Sequence, residues 1–114
     1  MRVKRGVTAH AKHHKIKQQT KGMSLPHRSS SRRGRQAVVK GMQHAYRDRR
    51  NKKRTFRQLW NARINAGARD NGTTYSKLIN SLKTAGITLD RKVLSELAVS
   101  EPKAFAAVVK AAQK

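Results

Sequence analysis

The sequence predicts an all-α protein: an extended basic N-terminal arm and a long basic helix, followed by a small helical bundle. Three observations predict it. From His44 to Ala66 helix formers dominate and neither Gly nor Pro occurs, and those two are the residues a helix interior tolerates least. From Thr73 onward, apolar residues recur at three- and four-residue spacing in three short blocks, the pattern of helices that bury one face. The charge, finally, is lopsided. Residues 1–57 hold 19 Lys and Arg against one acid, and residues 58–114 hold nine against four, which makes +18 and +5 of the total of +23.

The boundaries that follow are a basic arm and linker over residues 1–35, a long basic helix over 36–71 and a small helical domain over 72–114. Only the last has the apolar density to bury a core, and at about 45 residues it is near the lower limit for folding alone. The arm begins with MRVKRGVTA, which reads as extended because Gly6 and the β-branched Val3, Val7 and Thr8 weaken helix. Ala9 to Lys21 reads as a short helix whose few apolar residues, Ala9, Ala11 and Ile16, make no core face. His10 and His14 would share a face there at i, i+4 spacing. With no Cys, Asp or Glu nearby and Lys12 and Lys15 repelling a cation, they mark no metal site. Gly22 to Arg35 reads as a linker or loop, since Gly22, Pro26, the serine run 29–31 and Gly34 interrupt any period.

From Gln36 a helical stripe starts with Val38, Met42, Ala45 and Tyr46. Between Tyr46 and Phe56 there is then no apolar side chain, and from Arg47 to Arg63 eight bases face a single acid, Asp48. A helical segment polar all round needs an external partner or strong internal pairing, and one acid cannot pair eight bases. Phe56, Leu59, Trp60 and Ile64 resume the stripe and are expected to dock the helix end on the C-terminal core, with Gly67 weakening that end. As one helix, Gln36 to Asp70 would measure about 50 Å. Asn71-Gly72 is a stop signal.

The C-terminal region reads as three helices. Thr73 to Ala85 is the first, with Thr73 as its cap and Tyr75, Leu78, Ile79 and Leu82 as its apolar face. Gly86 takes the left-handed position after it, which brings Ile87 against Leu82. Asp90 caps the second, Arg91 to Ala98, buried through Val93, Leu94 and Leu97; Ser100 caps the third, with Phe105, Val108, Val109 and Ala112 inward. Arg91 and Lys92 sit where the helix dipole disfavours cations.

Several classes of chemistry are excluded. There is no GxxxxGK[ST], GxGxxG or HExxH motif, there are no cysteines, and the five acids Asp48, Asp70, Asp90, Glu96 and Glu101 are scattered, so no enzyme and no cofactor is implied. No run approaches a membrane-spanning length, and residues 47–55 lack the apolar face of a membrane-surface helix. A cationic excess of this size calls for a polyanion. Charge alone permits a general DNA- or RNA-compacting protein as the alternative to a dedicated RNA binder; competition between RNA and duplex DNA separates the two.

At AYRDRRNKKRTFRQLWNARINA the chain resembles bacterial-type large-subunit ribosomal protein twenty. VKRGVTA at Val3 to Ala9 is similar to that family's N-terminal signature. YSKLIN at Tyr75 to Asn80, AGI at Ala85 to Ile87 and LDRKVL at Leu89 to Leu94 are similar to its C-terminal domain. Met23-Ser24-Leu25-Pro26 departs from the aromatics and basic run usual there, Asn61 replaces a usually apolar residue, and Gly67 stands where alanine is common. The resemblance implies a long basic extension threaded into large-subunit ribosomal RNA, with direct binding early in subunit assembly and no part in peptide synthesis itself. It also implies neighbouring large-subunit ribosomal proteins as partners and a bacterial cytoplasmic location, or an organelle-made protein, since the match begins without a transit peptide. In some members the C-terminal domain also binds its own messenger RNA.

The residues expected to meet RNA fall in three groups. In the arm they are Arg2, Lys4, Arg5, Lys12, His13, His14, Lys15, Lys17 and Lys21. In the linker and the start of the long helix they are Arg28, Arg32, Arg33, Arg35 and Lys40. In the central stretch they are Tyr46, Arg47, Arg49, Arg50, Lys52, Lys53, Arg54, Arg57, Trp60 and Arg63. Lys and Arg neutralise phosphates, Arg adding a bidentate fork; Tyr46 and Trp60 offer rings on which unpaired bases stack.

Overall fold

The structure is a computed structural model and describes residues 4–113. All the regular elements among the described residues are helices: α1 (Gly6–Gln19), α2 (Leu25–Ser29), α3 (Ser31–Asp70), α4 (Tyr75–Thr84), α5 (Arg91–Ser100) and α6 (Pro102–Ala112). The chain divides into two compact units, Met1–Arg50 and Asn51–Lys114. No helix among the described residues is long and apolar enough to cross a membrane.

In the first unit, helix goes further than local propensity suggests. The segment expected to be extended is helical from Gly6, and the expected loop over Gly22–Arg35 contains α2 and the first turn of α3. Val3, part of that extended reading, lies outside the described residues. For the expected loop the reason is packing; the start of α1, exposed from Gly6 to His10, has no such partner. Thr20 is fully buried, its hydroxyl donating to the carbonyls of Ile16 and Lys17. Gly34 lies against it: a Cβ there would come within 2.6 Å of the His27 carbonyl oxygen and 3.0 Å of Ile16 Cγ2. The glycine that looks like a linker residue is the one that lets α3 start against α1 and α2. Gly22, at φ +87°, makes the turn after α1.

In the second unit, Ile64 and Ala68 of α3 close a core with Leu78 and Leu82 of α4, Leu94 of α5, and Phe105, Val109 and Ala112 of α6. The stripe expected to dock the long helix is thus only half used. Phe56 and Leu59 are exposed, because the short helices give α3 a partner only around Ile64 and Ala68. Val93, expected inward, is likewise exposed, and α5 continues past Ala98 to Ser100. Gly67 has a packing role: a Cβ would meet Phe105 Cε1 at 3.1 Å and Ala98 Cβ at 3.2 Å.

Helix ends show which local signals survive. Gly72 and Gly86 have φ of +74° and +68°. Thr73 N–H donates to the Ala68 carbonyl and Ile87 N–H to that of Leu82, so α3 and α4 both end in Schellman motifs. Two caps are corrected. Thr74, not Thr73, precedes α4, and the Tyr75 N–H is taken by Asn65 Oδ1 of α3 at 3.2 Å instead of by a capping side chain. Ser100 closes α5, where its hydroxyl donates to the Glu96 carbonyl; Glu101 precedes α6, whose first position is Pro102.

Candidate nucleic-acid interface

Up to Arg47 the sequence contains no acid, so every ionised side chain of α1, α2 and the first four turns of α3 is a cation or an imidazole. Spacing sorts them. On α1, Lys12, Lys15, Ile16 and Gln19 fall at i, i+3, i+4 and i+7 and share a face. On α3, Arg35 follows Ser31 by four residues and Arg32 by three, so it neighbours both on the helix surface. Because Gly34 holds α3 against α1, the two faces meet across a groove of about 660 Å³, with His13 on the α1 wall. A smaller groove of about 240 Å³ adjoins it, sharing His13 and Ser31 and adding His10, His14, Lys17 and Ser29. His10 and His14 stack at 6.3 Å, and the Gln18 amide meets His14 Nε2 at 3.0 Å.

Further along α3, Tyr46 is exposed and wrapped by its own helix. Arg50 Cζ stands 4.7 Å from the ring centroid and Arg49 Cζ 5.9 Å, and Arg50 Nη2 donates to the phenol oxygen at 2.7 Å. Asp48 accepts from Arg47 Nε at 2.8 Å, and this bond, with the opposite charge behind it, raises the Arg47 guanidinium above its usual pKa. The pair fits the salt-bridging role that one acid among arginines suggests; being exposed, it adds little to stability.

In the second unit, Lys52, Lys53, Arg54, Arg57 and Arg63 are exposed on α3. Lys52 Nζ stands 6.0 Å from the Phe56 ring, and Phe56 stands 6.2 Å from Trp60, which is half-buried. A polar chain crosses this unit: Arg91 Nε donates to the Tyr75 oxygen at 3.0 Å, and Tyr75 donates to Asn61 Oδ1 at 2.9 Å. That bond gives Arg91 the structural reason its position at a helix start lacks. It also explains a polar residue at position 61.

Of the residues expected to meet RNA, Arg2 lies outside the described residues. Lys4, Arg5, Lys21 and Arg28 are exposed at the ends of α1 and on α2, and Arg33, Lys40, Arg47, Arg49 and Arg50 are exposed on α3. The structure brings Lys12, His13, Lys15, Arg32 and Arg35 together around one groove and leaves the α3 cations beyond Lys40 along the helix. Ile16, Gln19 and Ser31 complete the groove but were not among the expected residues. The i, i+4 relations of Ile16 to Lys12 and of Gln19 to Lys15 are the sequence signal for two of them; the approach of α3, which brings Ser31, has none.

Taken together, this is a basic, all-α protein whose exposed faces suit a polyanion. The family described as Ribosomal protein L20 matches residues 2–108. Similar relatives are named Large ribosomal subunit protein bL20. That of Methylorubrum extorquens is 58% identical over 112 residues, covering 98% of this chain and 93% of the relative. Those of Parvibaculum lavamentivorans and Pelagibacter ubique are 56% and 55% identical, covering 98% of this chain and 95% of each relative. The chain belongs to the ribosomal protein L20 family and is a structural protein of the ribosome.

Proposed function

We propose that the chain binds large-subunit ribosomal RNA directly and supports early assembly of the bacterial large subunit, beside neighbouring large-subunit proteins and without catalysing a reaction. The observation that carries this reading is the segment Arg47–Thr55, exposed at every residue, helical, and holding one acid among its bases. A helix with no buried face, and with one carboxylate among its many cations, is completed by phosphates. Most of its contacts fix position and read the form of the RNA, since Lys and Arg on phosphates carry no base information.

The test is a titration with a ribosomal RNA fragment against salt. Z neutralised phosphates give a slope of log affinity on log salt of about −0.7Z to −0.9Z, and six to ten contacts lose about 10³–10⁵ in affinity from 50 to 200 mM salt. Arg50→Ala with Arg54→Ala should weaken binding and lower the slope by about two charges' worth, while Trp60 fluorescence keeps its native spectrum. Affinity independent of salt would remove the reading, and duplex DNA of equal length competing as well as the RNA would favour a general compacting role.

A further inference from the structure

We propose that the groove between α1 and the first turns of α3 is a socket for one unpaired ribonucleotide, its base inserted and its flanking phosphates held at the rim. This rests on the RNA-binding reading above and adds to it a site and a ligand class. The groove, at about 660 Å³, lies within the roughly 300–1,000 Å³ of pockets that enclose small organic ligands. Its charged lining is wholly cationic, from Lys12 and Lys15 on one wall and Arg32 and Arg35 on the other, and no acid precedes Asp48 in the chain to compete for them.

Phosphates along a duplex need only such cations on an open face, as on α3 from Arg47 to Lys53. This groove contains more. Ile16 offers a half-buried aliphatic surface and His13 a flat ring, while Gln19 and Ser31 present an amide and a hydroxyl to a base edge. Those are the partners of a base out of its stack, which a paired base cannot reach. The adjoining groove, sharing His13 and Ser31 and carrying Lys17, receives the neighbouring phosphate. The cradle is fixed rather than improvised, because Gly34 seats α3 on Ile16, Thr20 and the His27 carbonyl.

The full chain is titrated with two RNA hairpins at matched salt, identical except that one carries a single bulged 2-aminopurine nucleotide. The wild-type chain should prefer the bulged hairpin about tenfold, within the range of one stacked base, and change the 2-aminopurine fluorescence. Gln19→Trp, which fills the groove, should remove the preference and leave affinity for the paired hairpin unchanged, the control that the chain is still folded. Gln19→Ala, which adds no bulk, should reduce the preference about fivefold, as one lost hydrogen bond does. Arg28→Ala, on α2 outside the groove, should weaken both hairpins together. Equal wild-type affinity for the two hairpins, with steep salt dependence retained, overturns the socket and leaves the RNA-binding reading standing. So does a bulge preference that survives both Gln19 variants. Binding to neither hairpin overturns both.

Discussion

The apolar stripe at the end of α3 should divide sharply in its contribution to stability. Ile64 is fully buried, whereas Leu59, one and a half turns earlier, is 41% exposed. Truncating a core isoleucine to alanine costs about 2–5 kcal/mol, since the site loses transfer free energy and gains a cavity. A core this small rarely supplies more than about 3–5 kcal/mol in all, so Ile64→Ala should leave the second unit largely unfolded at 37 °C. Ile64→Val, at about 1 kcal/mol, stays measurable and should lower the midpoint by roughly 4–8 °C. Leu59→Ala opens onto solvent, leaves no closed cavity and should cost under about 1 kcal/mol. Trp60 is the chain's one tryptophan and lies half-buried in this unit, so its fluorescence during thermal unfolding reads all three variants. Equal losses for Ile64→Ala and Leu59→Ala would refute the reasoning, for they would mean that the whole stripe is docked.

Tyr75→Phe should destabilise the second unit by about 1–2 kcal/mol, because it leaves Asn61 Oδ1 and Arg91 Nε without their shared hydroxyl; the same Trp60 melt measures it, and an unchanged midpoint would mean the chain of bonds is not formed. Gly41 and Gly34, both within α3, should respond oppositely to alanine. At Gly41 a Cβ meets nothing within 4 Å, so helix propensity gains about 1 kcal/mol and backbone amides nearby exchange more slowly. At Gly34 the 2.6 Å approach to a backbone oxygen outweighs that gain, overpacking costing about 1–3 kcal/mol, and the Thr20 amide should exchange faster.

Much of the second unit was legible because its signals are local. Gly72 and Gly86 mark left-handed residues that a side chain would strain, and both helix ends fall there. The apolar periods around Leu78, Leu94 and Phe105 found the core. What misled was local chemistry overruled by distant partners. Thr73 looks like a cap, yet Asn65 reaches the start of α4 from ten residues away. Ser31 and Gly34 look like breaks in a helix, and the penalty of about 1 kcal/mol for a glycine is outweighed at Gly34, where α3 packs on α1. Phe56 and Leu59 continue a period that says which face is apolar but not how far the opposing helices extend. For the interface, charge revealed the cations at once. The groove stayed hidden, because which cations of the arm face Arg32 and Arg35 depends on a crossing that no spacing within one helix encodes.

Amide exchange across Arg47–Thr55, in the chain free of nucleic acid and again with a large-subunit ribosomal RNA fragment bound, tests the account at its centre. These residues bury no face, so in dilute buffer the free chain should exchange them through frequent local opening, and the bound RNA should slow them by at least an order of magnitude. Full protection in the free chain, unaltered by RNA, would mean that the helix is complete without phosphates and would contradict the account.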